Sequence, residues 1–182
     1  MQRVLCRSSP GDKTVVVAEV AIRLAEARDA EGIASVHASA WRAAFTFLPS
    51  RFLEAMTASA VLEKWKGAVL HPTTSLFVAV NDGCVVGFLH VRADGHEGEV
   101  MALYVDPSRW GQRVGSTLLA FGEEWLVAHG IDTAVLWTAK ESQQSRGFYE
   151  AREWVASGDE QTQYLGPTDI GLHEIQYRKS LS

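Results

Sequence analysis

The chain has 182 residues, a length that suits one domain with a substantial core of its own. With 47% hydrophobic and 21% charged residues it reads as an ordinary globule, and a net charge of -5 argues against nonspecific nucleic-acid binding, which demands a basic face. Cys6 and Cys84 are the only cysteines, far apart and without zinc spacing, so no disulfide framework is expected and a reducing cytoplasm is the default compartment.

The amino terminus carries the turn-forming Ser8-Ser9-Pro10-Gly11-Asp12 and no apolar run of signal-peptide length. Nothing later approaches the roughly 20 apolar residues of a membrane span, so no membrane partner is expected. Residues 1–19 are assigned to a poorly structured extension and 20–182 to the domain, although Val15 to Ala25 already reads as a strand. Asp29 can cap a helix whose inward stripe is Ile33, Val36, Ala40, Trp41 and Ala44. Leu48-Pro49 interrupts it, and a second helix with Leu62, Trp65 and Val69 on one face ends before His71-Pro72. Leu76 to Val80 and Cys84 to Val91 are strands joined by the hairpin turn Asn81-Asp82-Gly83. After a turn at Asp94 to Gly98, Glu99 to Val105 forms a strand that Pro107 stops, having no backbone donor. A helix from about Gly115 buries Leu118, Leu119, Gly122, Trp125 and Leu126, with Gly130 as its cap. Thr133 to Thr138 is a strand, Ser142 to Glu150 a short helix, and Leu172 to Arg178 a final strand. The order is α+β around one mixed sheet. The six histidines show no ligand spacing, and no metal is assigned.

Residues 99–119 carry the strongest chemical signal. A strand ends at a proline, an Arg/Gly/Gln turn follows, and a helix opens, which puts free N–H groups and the positive end of a helix dipole just past the strand. Consecutive N–H groups from Gly111, Gln112, Arg113, Val114, Gly115 and Ser116 can converge on a phosphate, with the Ser116 and Thr117 hydroxyls adding hydrogen bonds and Arg113 adding charge. No Gly-Lys-Ser/Thr follows, so this is not a P-loop. Nor does it have the G-x-G-x-x-G of a dinucleotide fold.

The stretch Leu103-Tyr104-Val105-Asp106-Pro107 followed by Trp110-Gly111-Gln112-Arg113-Val114-Gly115, with Phe148-Tyr149-Glu150 farther on, resembles the GNAT superfamily of acyl-CoA-dependent N-acyltransferases. The resemblance spans roughly residues 20 to 181. It implies a GNAT fold, with a mostly antiparallel mixed sheet splayed between its fourth and fifth strands and helices on both faces. It also implies acetyl-CoA as co-substrate, the pantetheine arm lying along the backbone of Leu103, Tyr104 and Val105, and the pyrophosphate on Gly111 to Ser116. Ser142 stands where many members hold the pantetheine amide with Asn, and serine can make one such bond. Trp110 stands where Arg or Gln is usual, Arg113 where Gly is usual, and Glu153 where Gly precedes a Trp. A helical backbone is expected at Arg113, because bulky residues rarely take positive φ.

The implied reaction is direct attack of a primary amine on the thioester in a ternary complex. Similar proteins place a general-acid tyrosine at the position of Tyr149, to protonate the departing thiolate. Glu99 is the leading base, and a water chain ending at Glu99 or Asp94 is the other route. The acceptor, a small-molecule or peptide amine, should lie between the first two helices and the far side of the splayed sheet, where Phe45 to Phe52 are candidates for its lining. His37 on the first helix could face that pocket, but it reads more readily as a solvated or core histidine. A homodimer is compatible with the family's habit. A non-catalytic acyl-CoA-binding module is the alternative reading.

Overall fold

The structure, a computed structural model, describes residues 15–17, 20–164 and 170–181. Its elements in chain order are β1 (Val15–Val17), β2 (Val20–Leu24), α1 (Ala30–Ala44), α2 (Ser50–Ala55), α3 (Ala58–Val69), β3 (Thr74–Asn81), β4 (Cys84–Asp94) and β5 (Glu97–Val105). There follow α4 (Val114–Ala128), β6 (Thr133–Ala139), α5 (Gln143–Glu150), β7 (Val155–Tyr164) and β8 (Gly171–Ser180). The strands join in one sheet in the order β1-β2-β3-β4-β5-β6-β8-β7, antiparallel throughout except at β5–β6.

Apolar residues on both faces of the central strands explain the layering. In β3, Leu76 and Val78 face α1 and α3, together with Phe88 of β4, whereas Phe77, Ala79 and Leu89 face α4. Strands buried on both sides read as continuous apolar runs, as β3 and β4 do. The α1 stripe packs as its spacing requires, with Ile33, Val36 and Trp41 buried. Helix α4 lies close on the sheet because Gly122 has no side chain to meet Leu89. It ends at Gly130, whose φ of +78° satisfies the last turn's carbonyls as a glycine does best.

Several boundaries differ from the sequence reading. The expected strand Val15 to Ala25 is two strands paired antiparallel, with Val17 opposite Val20, so β1 draws part of the assigned extension into the sheet. The remainder of residues 1–14 and 18–19 lies outside the described residues. Asp29 precedes α1, but its carboxylate accepts from the Glu26 N–H at 2.7 Å and from the Arg23 guanidinium at 2.6 Å. It ties the helix start to β2 and does not cap the helix. The expected second helix is two, because Pro49 starts α2 and Thr57, whose hydroxyl accepts from the Ala60 N–H, starts α3. Strand β7 has no apolar alternation and is exposed along its whole length, which hid it from the pattern.

The parallel pairing of β5 with β6 runs only from Glu97↔Thr133 to Val100↔Leu136. Beyond it β5 continues against β4 to Val105, and β6 continues against β8 to Ala139. The sheet therefore splits into a wedge. This is the splay expected between the fourth and fifth strands, which become the fifth and sixth once the first expected strand is counted as two.

Candidate active site

The wedge opens into a cavity of about 440 Å³ between β5, β6, α4 and α5. Its upper rim follows from the way β5 ends. The Asp106 N–H donates to Val86 O at 2.9 Å, closing the β4 side of the ladder. By the alternation of antiparallel pairing, Val105 and Leu103 then turn their own polar groups toward the wedge. Val105 O is taken by the Trp110 indole N–H at 2.9 Å, while Leu103 leaves its groups to the cavity. This accounts for Trp110, whose ring lines the cavity and whose nitrogen braces the strand end.

Past Pro107–Arg109, the chain turns through Gly111 at φ +75° and Arg113 at φ +65° before α4 begins. The first helical bond is from the Thr117 N–H to Arg113 O at 3.0 Å. The N–H groups of Gly111, Arg113, Val114, Gly115 and Ser116 donate to no described acceptor. Cations surround this crown. Arg109, Arg113 and Arg152 all line the cavity. The Arg152 guanidinium donates to the Ser116 hydroxyl and to Phe148 O, and lies 3.9 Å over the Phe148 ring. Free N–H groups at a helix start with arginines beside them form the donor set that a diphosphate requires.

Tyr149 of α5 is buried against the cavity, and its hydroxyl has no described hydrogen-bond partner. Burial raises its pKa far above the ordinary phenol value, with the nearby Tyr104 adding to the shift, so it holds its proton at neutral pH. Tyr104 is itself pushed up to about 12, chiefly by burial, and its hydroxyl accepts from the Trp41 indole at 2.9 Å. The far end of the cavity is mostly apolar, with Ala44, Phe45, Ala139 and Leu172 on its wall and Trp41 stacked on Phe45 at 4.2 Å. Lys64 and Glu174 bring its charges. Beneath it His37 is buried and accepts from the Trp65 indole at 2.9 Å, which makes it a core histidine.

Of the residues singled out from the sequence, the cavity gathers Leu103, Tyr104, Val105, Gly111, Arg113, Val114, Gly115, Ser116 and Tyr149. It does not gather Glu99, Gln112 or Ser142. Glu99 is paired across the strands with Arg92 at 2.7 Å, at a register position where β5 and β6 are still joined, one residue short of the opening. Gln112 is exposed; its N–H goes to Arg109 O and its amide to Ser108 O. Ser142 caps α5, its hydroxyl accepting from the Ser145 N–H, and Ser145 takes its place on the wall. Thr117 turns its hydroxyl back onto Arg113 O. Arg113 is left-handed, against the expectation of a helical backbone, because the turn from Gly111 into α4 needs a reversal there. Glu153 is left-handed as well, at φ +66°. Sequence reasoning missed Arg109, Arg152, the Tyr104 side chain and Glu174. The one legible sign of the last was an acid two residues after Leu172 on a strand, on the face that should be apolar.

The model of the Acetyltransferase (GNAT) family matches residues 33–154. An uncharacterized N-acetyltransferase of Bacillus subtilis, YuaI, is 32% identical over 72% of this chain and 78% of its own length. A mycothiol acetyltransferase of Clavibacter michiganensis is 33% identical over 49% of this chain and 28% of its own. Among solved structures, the PaiA N-acetyltransferase of Thermoplasma acidophilum in complex with coenzyme A superposes with a TM-score of 0.71 at 17% identity, over 88% of this chain and 98% of that one. A GCN5-related N-acetyltransferase of Rhodopseudomonas palustris gives 0.74 at 23% identity, over 91% and 98%.

Proposed function

The chain belongs to the GNAT family of acetyltransferases, acyltransferases whose donor is acetyl-CoA, and on that footing we propose that this cavity transfers the acetyl group directly to a primary amine in a ternary complex. The observation that carries the reading is the meeting, in one cavity, of unpartnered N–H groups at the start of α4 with the unpartnered hydroxyl of Tyr149. The crown and its arginines hold the diphosphate. The wedge-facing backbone of Leu103 holds the pantetheine arm as an added strand would. The thioester then lies in the cleft beside Tyr149. The amine nitrogen bonds to the carbonyl carbon, the carbon–sulfur bond breaks, and the phenol gives its proton to the departing thiolate.

Arg113 serves the donor end in this reading. Left-handed backbone costs a non-glycine residue roughly 1–2 kcal/mol, and an exposed guanidinium at the crown offsets that cost by meeting phosphate. The test is release of free thiol from acetyl-CoA by the purified protein in the presence of a panel of amines. Amine-dependent release supports the reading. Tight binding of acetyl-CoA without release, across chemically diverse amines, would instead favour a non-catalytic acyl-CoA-binding module.

A further inference from the structure

Glu174 stands on β8 at the register position opposite Ala139, where β6 has already parted from β5. It is 8% exposed and, among the described residues, is the one carboxylate on the cavity wall. One oxygen accepts from Gln161 Nε2 at 2.8 Å; the other has no described partner. A buried carboxylate with open acceptor capacity, on the wall of a mostly apolar end, is matched by a cation that brings its own hydrogen-bond donors. The other charged residues lining the cavity are cations, Lys64 and, at the crown, Arg109, Arg113 and Arg152.

We propose that Glu174 receives the ammonium group of the acceptor and takes its proton, and that the acceptor is a small monoamine on an apolar body, not a polyamine. This rests on the acetyl-transfer reading above. A single ammonium finds its partner in Glu174, and its carbon skeleton finds Phe45, Ala139 and Leu172. A second ammonium would meet Lys64 or the arginines with no acid beside it, and repulsion of that kind excludes wrong partners. In the reaction the protonated amine gives one proton to the Glu174 carboxylate, and the neutral amine bonds to the thioester carbon. The carbon–sulfur bond breaks and the thiolate takes the Tyr149 proton, which the phenolate regains from the new amide nitrogen. The carboxyl of Glu174 releases its proton to solvent. The sum is one amide, one thiol and one proton.

The surroundings suit that role. Burial raises the pKa of Glu174 above the ordinary carboxyl value, the charge of Glu99 on β5 raises it further, and the bond from Gln161 on β7 opposes both. Tyr104 on β5 is the other titratable group that feels Glu174, and it stays protonated. A carboxylate of raised basicity is the better proton acceptor.

The test compares wild type with Glu174→Gln, using benzylamine and spermidine as acceptor probes and a calorimetric titration with acetyl-CoA. Glu174→Gln is expected to leave acetyl-CoA affinity within about twofold and to lower kcat/KM for benzylamine at least ~100-fold at about pH 7. The deficit should shrink toward about pH 9.5, where the amine loses its proton unaided. Wild type should favour benzylamine over spermidine by about tenfold or more. Glu174→Asp, which keeps the carboxylate, should retain the acidic limb of the pH profile, and it decides the matter if Glu174→Gln does not fold. Wild-type kcat/KM in Glu174→Gln, a deficit independent of pH, or a preference for spermidine would overturn the assignment while leaving acetyl transfer intact. Absence of any amine-dependent thiol release from wild type would overturn both.

Discussion

In the proposed reaction, residues 103–116 build the donor end of the cavity largely from backbone, braced by Trp110 and edged with arginines, whereas the acceptor end is made of side chains from α1, α3, β6 and β8. The first is contiguous in sequence and would bind by free N–H groups that almost any side chain would leave in place. The second brings Phe45 together with Glu174, and it would bind by what the side chains are. A donor shared across a family can be held by the former, while the identity of the acceptor has to be decided by the latter. Tyr149 stands where the two meet.

The largest effect expected is at that junction. Tyr149→Phe should lower kcat by roughly 10²–10³-fold, as removal of a general acid does, while acetyl-CoA affinity stays unchanged. Thiol-release kinetics with a parallel binding titration would separate the two quantities. A loss in donor affinity with kcat intact would move Tyr149 wholly to the donor end.

The two ends should also differ in their response to acid, because the floor of the acceptor end rests on buried neutral histidines. Burial, with Lys64 adding, pushes His37 down to about 3 and His90 down to about 4 from an ordinary 6.5. The unfolded chain therefore binds protons that the folded one refuses. Stability from this source is complete above pH 6.5 and is lost as pH falls toward those values. Between about pH 7 and pH 5 each histidine should remove about 2 kcal/mol, read from denaturant midpoints across pH. His37→Gln and His90→Gln should flatten that slope; a slope left unchanged would show that the acceptor floor is not its source.

Smaller effects sharpen the donor end. Arg113→Gly should relieve the left-handed backbone and raise stability by about 1 kcal/mol, yet weaken acetyl-CoA binding about tenfold, with the loss shrinking at high salt. Opposite signs in a melt and a titration would confirm that backbone strain is retained there for the guanidinium. Glu153→Gly lies away from the cavity and should only stabilise, by about 1 kcal/mol or ~2–4 °C in Tm. A fall in thiol release from that variant would mean that the turn into the buried Trp154 positions α5.

Much of the fold was legible because its signals are local. Asp82 and Gly83 at positive φ make the expected hairpin, Pro107 ends β5, Gly130 ends α4, and the apolar runs of β3 and β4 fix the centre of the sheet. The crown was legible for the same reason, since a strand, a proline and a helix start occupy one stretch. What escaped depended on neighbours brought from afar. Ser142 looked free to bind a ligand until Ser145 claimed it, and Glu99 looked free until the register put Arg92 beside it. Arg113 looked helical because bulky residues usually avoid positive φ, a preference that the geometry of the turn overrode.

By itself, then, the chain order of strands, helices and breakers determined the layered sheet and the backbone crown, because hydrogen-bond geometry and hydrophobic period act over a few residues. Only the tertiary structure decided which side chains face one another across the wedge. The choice of Glu174 over Glu99 for the cavity turns on where β5 and β6 cease to pair, and that depends on strands that meet from distant parts of the sequence.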